Sequence, residues 1–333
     1  MERSNIRGLV LSFTVMGSLM VPLSIELVKR SHPPSTIFFG LFSLFLWGVL
    51  FLALGMTDLL KRVKGWCNKN QKVIFYITSS ISIPWFIYAA GTGESRPVIW
   101  VSVLLYIMAP LFIMYDTLGR EHSLGVREIA FICLIFLPIN HGFLHKCFIW
   151  PENLGAAAYT NFLGVILVVV ILEGYLGVEG IGYRFKFYRE DLGIILKNFC
   201  IFMVIALPIG IFSSFVTPSG NIKSPGEIFL SFIGIFLLIA IPEEVLFRGV
   251  IQNLLTKSLK RPRIALIVSA MIFSLSHANK AGVPDGPIPD YRYLILAGIA
   301  GIFYGLSYQK GKTLMPAVMV HTLVDLTWAN FLI

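Results

Sequence analysis

Charge is scarce in this chain of 333 residues. Asp, Glu, Lys and Arg together make up 14% of it, and A, V, I, L, M, F, W, Y and C make up 56%. A soluble domain carries about 25% charged residues, so a soluble globular protein is excluded. Cysteine is scarce too. Cys67, Cys133, Cys147 and Cys200 lie far apart, with no CxxC and no Cys/His pair at zinc spacing. That excludes a disulfide framework or a zinc finger and leaves isolated thiols. The net charge of +9 has no basic patch interleaved with aromatics behind it, so no nucleic-acid partner is expected. There is no internal repeat, no low-complexity tract and no stretch between apolar runs long enough for a soluble domain.

Long apolar runs are what the chain has instead. A membrane span needs about 20 mostly apolar residues. Eleven candidates follow, at roughly 8–28, 36–56, 73–91, 97–116, 128–142, 157–177, 199–217, 226–255, 264–280, 293–309 and 313–332. The fold class expected is all-α, a polytopic transmembrane helix bundle of about 11 spans. The first run resembles a signal peptide but has no small-residue cleavage site, so it reads as a retained span. The fifth is the shortest and ends in Pro138-Ile-Asn-His141. Eleven spans put 19 Lys and Arg on one side and 7 on the other, Arg248 being the remaining one of 27. Cytoplasmic loops are the basic ones, so the N-terminus is expected in the cytoplasm, with the protein in the plasma membrane. Tyr183 to Lys197 mixes charge with aromatics and reads as an interfacial loop or short amphipathic helix on the cytoplasmic side. Ala297, Gly301 and Gly305 form a small-residue face for close helix packing.

Against this background Ile239-Ala-Ile-Pro-Glu-Glu-Val-Leu-Phe-Arg-Gly249 stands out. A charge at mid-bilayer costs at least about 2.5–3.5 kcal/mol, and here three ionisable groups fall within six residues. Glu244 and Arg248 are i,i+4 and can neutralise each other on one helix face. Glu243 points about 100° away from Glu244 and is left over. Pro242 lacks an N–H and clashes with the preceding turn, which loosens the helix just before the carboxylates. Two later spans carry the remaining deep ionisable groups. One holds His277, in Phe273-Ser-Leu-Ser-His277; the other holds His321 and Asp325, in His321-Thr-Leu-Val-Asp325. Counted from Lys257, Arg263 and Lys312, Glu243, His277, His321 and Asp325 lie 14, 14, 9 and 13 residues from the same boundary. At 1.5 Å per residue that is about 13–21 Å, one layer near mid-membrane. Isolated histidines have no reason to match in depth, so a shared site is expected.

A glutamate with a histidine can hold and deprotonate water. A second histidine with a polar neighbour can donate to the oxyanion of a tetrahedral intermediate. Alternatively, Glu, two His and Asp could ligate a divalent metal such as zinc. The order Glu-Glu-x-x-x-Arg, Phe-x-x-x-His, His-x-x-x-Asp on three spans resembles the CPBP intramembrane proteases, also called Abi or CAAX-protease-like, which include the type II CAAX prenyl endopeptidases. The resemblance covers about 225–332. It implies a CPBP-like core at 199–333, with 1–198 a transmembrane region of unknown role. It further implies that Glu243, assisted by His277, activates water, that His321 and Asp325 form the oxyanion hole, and that Glu244 and Arg248 hold the architecture. Asp325 stands where the prenyl endopeptidases favour Asn, and an ionised Asp cannot donate. It must be protonated or must orient His321 instead. The implied activity is an intramembrane endopeptidase without a required cofactor, a metal being the alternative. Its partners would be the lipid bilayer and a membrane-embedded or lipid-modified protein or peptide: a CAAX protein, a bacteriocin or a C-terminal sorting signal. Two other functions stay open: a proton-coupled transporter using the Glu/His cluster, and an inactive member acting as a scaffold or immunity factor.

Overall fold

The computed structural model describes residues 3–94, 96–148, 150–151, 156–217, 223–280 and 288–331. Among them the chain is all helical, and each of the eleven apolar runs falls on a helix. The helices are α1 (Arg3–Lys29), α2 (Pro34–Met56), α3 (Leu59–Lys69), α4 (Val73–Thr92), α5 (Pro97–Thr117), α6 (Val126–Asn140), α7 (Ala156–Tyr175), α8 (Arg189–Phe212), α9 (Pro225–Leu259), α10 (Pro262–Leu275), α11 (Tyr291–Lys310) and α12 (Met315–Phe331). Seven of them, α1, α2, α4, α5 and α7–α9, are long and apolar enough to cross a membrane. The fifth run forms α6, only 15 residues long, and α10 has 14. The protein is a polytopic helical membrane protein.

Helix ends follow local chemistry. Proline opens α2, α5, α9 and α10, at the turn where its missing N–H costs nothing. Ser224 and Glu227 cap each other reciprocally at the start of α9. Asp290 caps α11 by accepting from the Arg292 backbone N–H. Tyr183–Lys197, expected as one interfacial segment, divides: its first part is irregular, and from Arg189 onward it is already α8. The second start signal is the Asp191 carboxylate, which accepts from the Tyr188 backbone N–H at 2.8 Å.

The chain forms two compact units, Met1–Glu179 and Gly180–Ile333. The first is centred on an aromatic cluster. Trp47, Tyr88, Phe148 and Tyr159 pack ring on ring, at centroid distances of 5.0–6.2 Å. Their polar ends are bonded to backbone: Trp47 Nε1 to Ile81 O at 2.9 Å, Tyr88 to Trp150 and Tyr159 to Gly40 O at 2.8 Å. His141 is exposed at the end of α6, and the cysteines are free thiols.

The second unit holds the residues of matching depth that the sequence pattern picks out. Its spine is α9, 35 residues long. Around Pro242 the helix widens into π turns on both sides, Phe236–Ala240 and Val245–Gln252. A ring without an N–H interrupts the i→i−4 ladder, and wider turns recover the hydrogen bonds. The small-residue face of α11 lets two partners close in. A Cβ on Gly301 would lie 3.1 Å from Ala270 of α10, and one on Gly305 would lie 2.3 Å from Leu266 and 2.6 Å from Gln252. The close approach exposes the carbonyls of both glycines to α9: Arg248 Nη2 donates to Gly301 O at 3.1 Å, and Gln252 Nε2 to Gly305 O at 3.2 Å.

Candidate active site

Each motif residue reaches the site from a different structural device. Glu243 and Glu244 sit on the short α-helical turn between the two π turns of α9. Adjacent helical positions point about 100° apart, and the environments diverge accordingly. The Glu244 side chain is fully buried, whereas 25% of the Glu243 side chain is exposed, into a cavity. His277 lies two residues past the end of α10, in a turn and not inside the helix as its apolar run suggests. Its turn closes through the His277 N–H to Ser274 O bond, 3.0 Å. His321 and Asp325 share one face of α12, as their i,i+4 spacing requires.

The geometry ties Glu244 to more than Arg248. Glu244 Oε1 accepts from Arg248 Nη1 at 3.0 Å, the expected pair. The same oxygen lies 2.8 Å from His321 Nδ1. The carboxylate and the histidine on α12 are therefore one unit, a link that motif spacing within one helix could not show. His321 Nε2 in turn faces Asp325 Oδ2 at 3.4 Å and Glu243 Oε2 at 3.9 Å. Both ring nitrogens thus face carboxylate oxygens, Nδ1 at hydrogen-bond distance from Glu244 and Nε2 farther from Asp325 and Glu243.

His277 has a different arrangement. Its Nδ1 lies 2.9 Å from Phe273 O. A carbonyl can only accept, so Nδ1 carries the proton and Nε2 of the neutral ring keeps its lone pair. Ser276 Oγ donates to the same carbonyl at 2.7 Å and also lies 3.2 Å from His277 Nδ1.

Aromatic rings hold the histidines. Tyr304 stacks on His321 at 4.4 Å with 15° between planes. Tyr293 meets His277 edge to face at 5.0 Å. Phe273 touches both imidazoles and lies under the Arg248 guanidinium at 4.5 Å. Neither tyrosine was among the sequence-selected residues. The signal that finds them is their place on the same face of α11 as Ala297 and Ala300.

The cavity has a volume of about 450 Å³. Glu243, His277, His321 and Asp325 line it, with Phe202 and Ala206 of α8 and Tyr293 and Ala300 of α11 making an apolar wall. Glu244 and Arg248 do not line it; they are buried behind it. Of the six selected residues, four face one space and two support it. Among the described residues, no group of three or more His, Cys, Asp or Glu is arranged as metal ligands. His321 Nδ1 is committed to Glu244. The site can present a carboxylate and an unprotonated imidazole nitrogen to water, and a second imidazole to a developing negative charge.

Residues 225–327 match the family described as type II CAAX prenyl endopeptidase Rce1-like. Neither a curated protein nor a solved structure matches the chain.

Proposed function

We propose, for a chain whose residues 225–327 place it in the CPBP (CAAX protease) family of membrane endopeptidases, that Glu243 activates water to cleave a peptide bond of a membrane-embedded or lipid-modified polypeptide. The observation carrying this is the split between adjacent carboxylates: Glu244 is buried and doubly bonded, while Glu243 opens onto the cavity beside His277 and His321. Water held between Glu243 and His277 Nε2 gives up a proton to the carboxylate as its oxygen attacks the carbonyl carbon. His321 Nε2–H then faces the oxyanion. Asp325, 3.4 Å from that nitrogen, orients the imidazole and balances its charge. Collapse of the tetrahedral intermediate returns the proton from Glu243 to the leaving amine.

On this reading no metal is needed, and activity of the purified protein survives exhaustive chelation. The substrate is found by trapping. Membranes holding the Glu243→Gln protein should retain uncleaved polypeptides that co-purify with it and that the unsubstituted protein then cuts. If the trapped polypeptides are not cut, the endopeptidase reading fails. Proton-linked flux in proteoliposomes without proteolysis would then favour a transporter.

A further inference from the structure

The motif side chains that line the cavity offer few hydrogen-bond donors. Glu243 and Asp325 only accept when ionised, and Nε2 of the neutral His277 ring accepts as well. Of the four, His321 alone turns a donor toward a developing oxyanion. Oxyanion sites gather several donors, and removal of one costs about 10²–10³ in kcat. A second donor has to come from outside the three motifs.

Helix α11 carries none of those motifs, yet Tyr293, Ala297, Ala300 and Tyr304 turn one face of it to the cavity. Among the described residues neither tyrosine hydroxyl makes a hydrogen bond. Their places differ. Tyr304 is only 1% exposed, lies flat on His321 at 4.4 Å, and has the Arg248 guanidinium 5.2 Å from its ring centre. It belongs to the support behind the site. Tyr293 is partly exposed and lies on the His277 side. Its ring is held by three aromatic neighbours, His277 at 5.0 Å, Phe215 at 5.8 Å and Trp328 at 6.1 Å. Packing thus fixes the ring and leaves the hydroxyl unused. That hydroxyl is within electrostatic reach of both Glu243 and Asp325, the carboxylates of the open part of the site. A phenol keeps its proton at neutral pH and can donate.

We propose that Tyr293 is a further catalytic residue, whose hydroxyl donates to the carbonyl oxygen of the scissile bond as negative charge develops there, alongside His321. The assignment rests on the endopeptidase reading above. Water held at His277 Nε2 attacks a carbonyl that lies beside Tyr293, because the two rings are in contact. The hydroxyl supplies the donor that an ionised Asp325 cannot.

The test uses the full-length protein reconstituted in liposomes, with a synthetic peptide spanning the cut site of a polypeptide that co-purifies with the Glu243→Gln protein. Tyr293→Phe keeps the ring and its three contacts and removes only the hydroxyl. It should accumulate and unfold as the unsubstituted protein does, with KM little changed and kcat lower by about 10²–10³-fold. Tyr291→Phe, two residues away and 72% exposed, should leave both constants unchanged. A second peptide carries a thioamide at the scissile bond, placing sulfur, a weaker acceptor, where the oxygen lies. The unsubstituted protein should favour the oxygen-containing peptide, and Tyr293→Phe should favour it less. Equal kcat for Tyr293→Phe and the unsubstituted protein overturns the proposal and leaves the endopeptidase reading standing. A lower kcat with the same preference for oxygen over sulfur also overturns it, since the hydroxyl would then act on the fold and not on the carbonyl. If the unsubstituted protein cuts no trapped polypeptide, both readings fall together.

Discussion

Glu244 Oε1 lies 2.8 Å from His321 Nδ1, and the same oxygen accepts from Arg248 Nη1 at 3.0 Å. One buried carboxylate thereby fixes a helix-internal cation and the orientation of an imidazole on another helix. Removing one partner of a buried ion pair costs about 3–5 kcal/mol, because the other charge is left uncompensated. Glu244→Ala should therefore reduce accumulation of the folded protein in membranes. Glu244→Gln keeps an acceptor oxygen of the same shape but loses the charge that holds His321. It should accumulate better than Glu244→Ala and still lose activity in kcat, by about 10²–10³-fold, as loss of an oxyanion donor does. A Glu244→Gln protein with unchanged kcat would reduce Glu244 to a scaffold for Arg248 alone.

Gly305 makes a second prediction, about packing. A Cβ there meets Leu266 at 2.3 Å and Gln252 at 2.6 Å. Overpacking of this kind costs about 1–3 kcal/mol, and here it also presses on the Gln252 bond to the Gly305 carbonyl. Gly305→Val should lower the thermal stability of the detergent-solubilised protein. Gly298→Ala, whose Cβ would meet nothing nearer than 3.6 Å, should leave it unchanged.

A third prediction concerns pH. Asp290 bonds Arg292 at 2.9 and 3.1 Å, and Arg292 also reaches Ser213 O and Ser214 O beyond the end of α8. The Arg292 hydrogen bonds hold the Asp290 carboxyl below its ordinary range, against the opposing effect of burial. A group with a lowered folded pKa stabilises above its unfolded value, about 4, and loses that contribution as pH falls through the folded value. Stability of the unsubstituted protein should thus fall on acidification below about pH 4 more steeply than that of Asp290→Asn. Thermal unfolding followed across that pH range distinguishes the two curves.

Much of this was legible in the sequence, for physical reasons. The all-helical membrane fold follows from apolar run lengths, which the bilayer dictates. The pairing of Glu244 with Arg248 follows from helical spacing, and the common layer of Glu243, His277, His321 and Asp325 follows from counting rises along three helices. The Glu244–His321 bond was not legible, because it joins positions 77 residues apart and depends on how α9 and α12 rotate about their axes. The turn at His277 was not legible either: no Gly or Pro follows Leu275 before Gly282, and only the 3.0 Å closure to Ser274 marks the helix end. The early start of α8 was hidden because its first turns are charged, so hydropathy alone sees only the later part.

The most direct test of the central claim is cleavage by the Glu243→Gln protein. A trapped substrate is reconstituted with each protein, and product is followed together with the amount of folded protein in the membrane. Loss of cleavage with normal accumulation is the predicted result, since Glu243 contributes no bond to the packing of Glu244 and Arg248. Cleavage at the unsubstituted rate by Glu243→Gln would contradict the account.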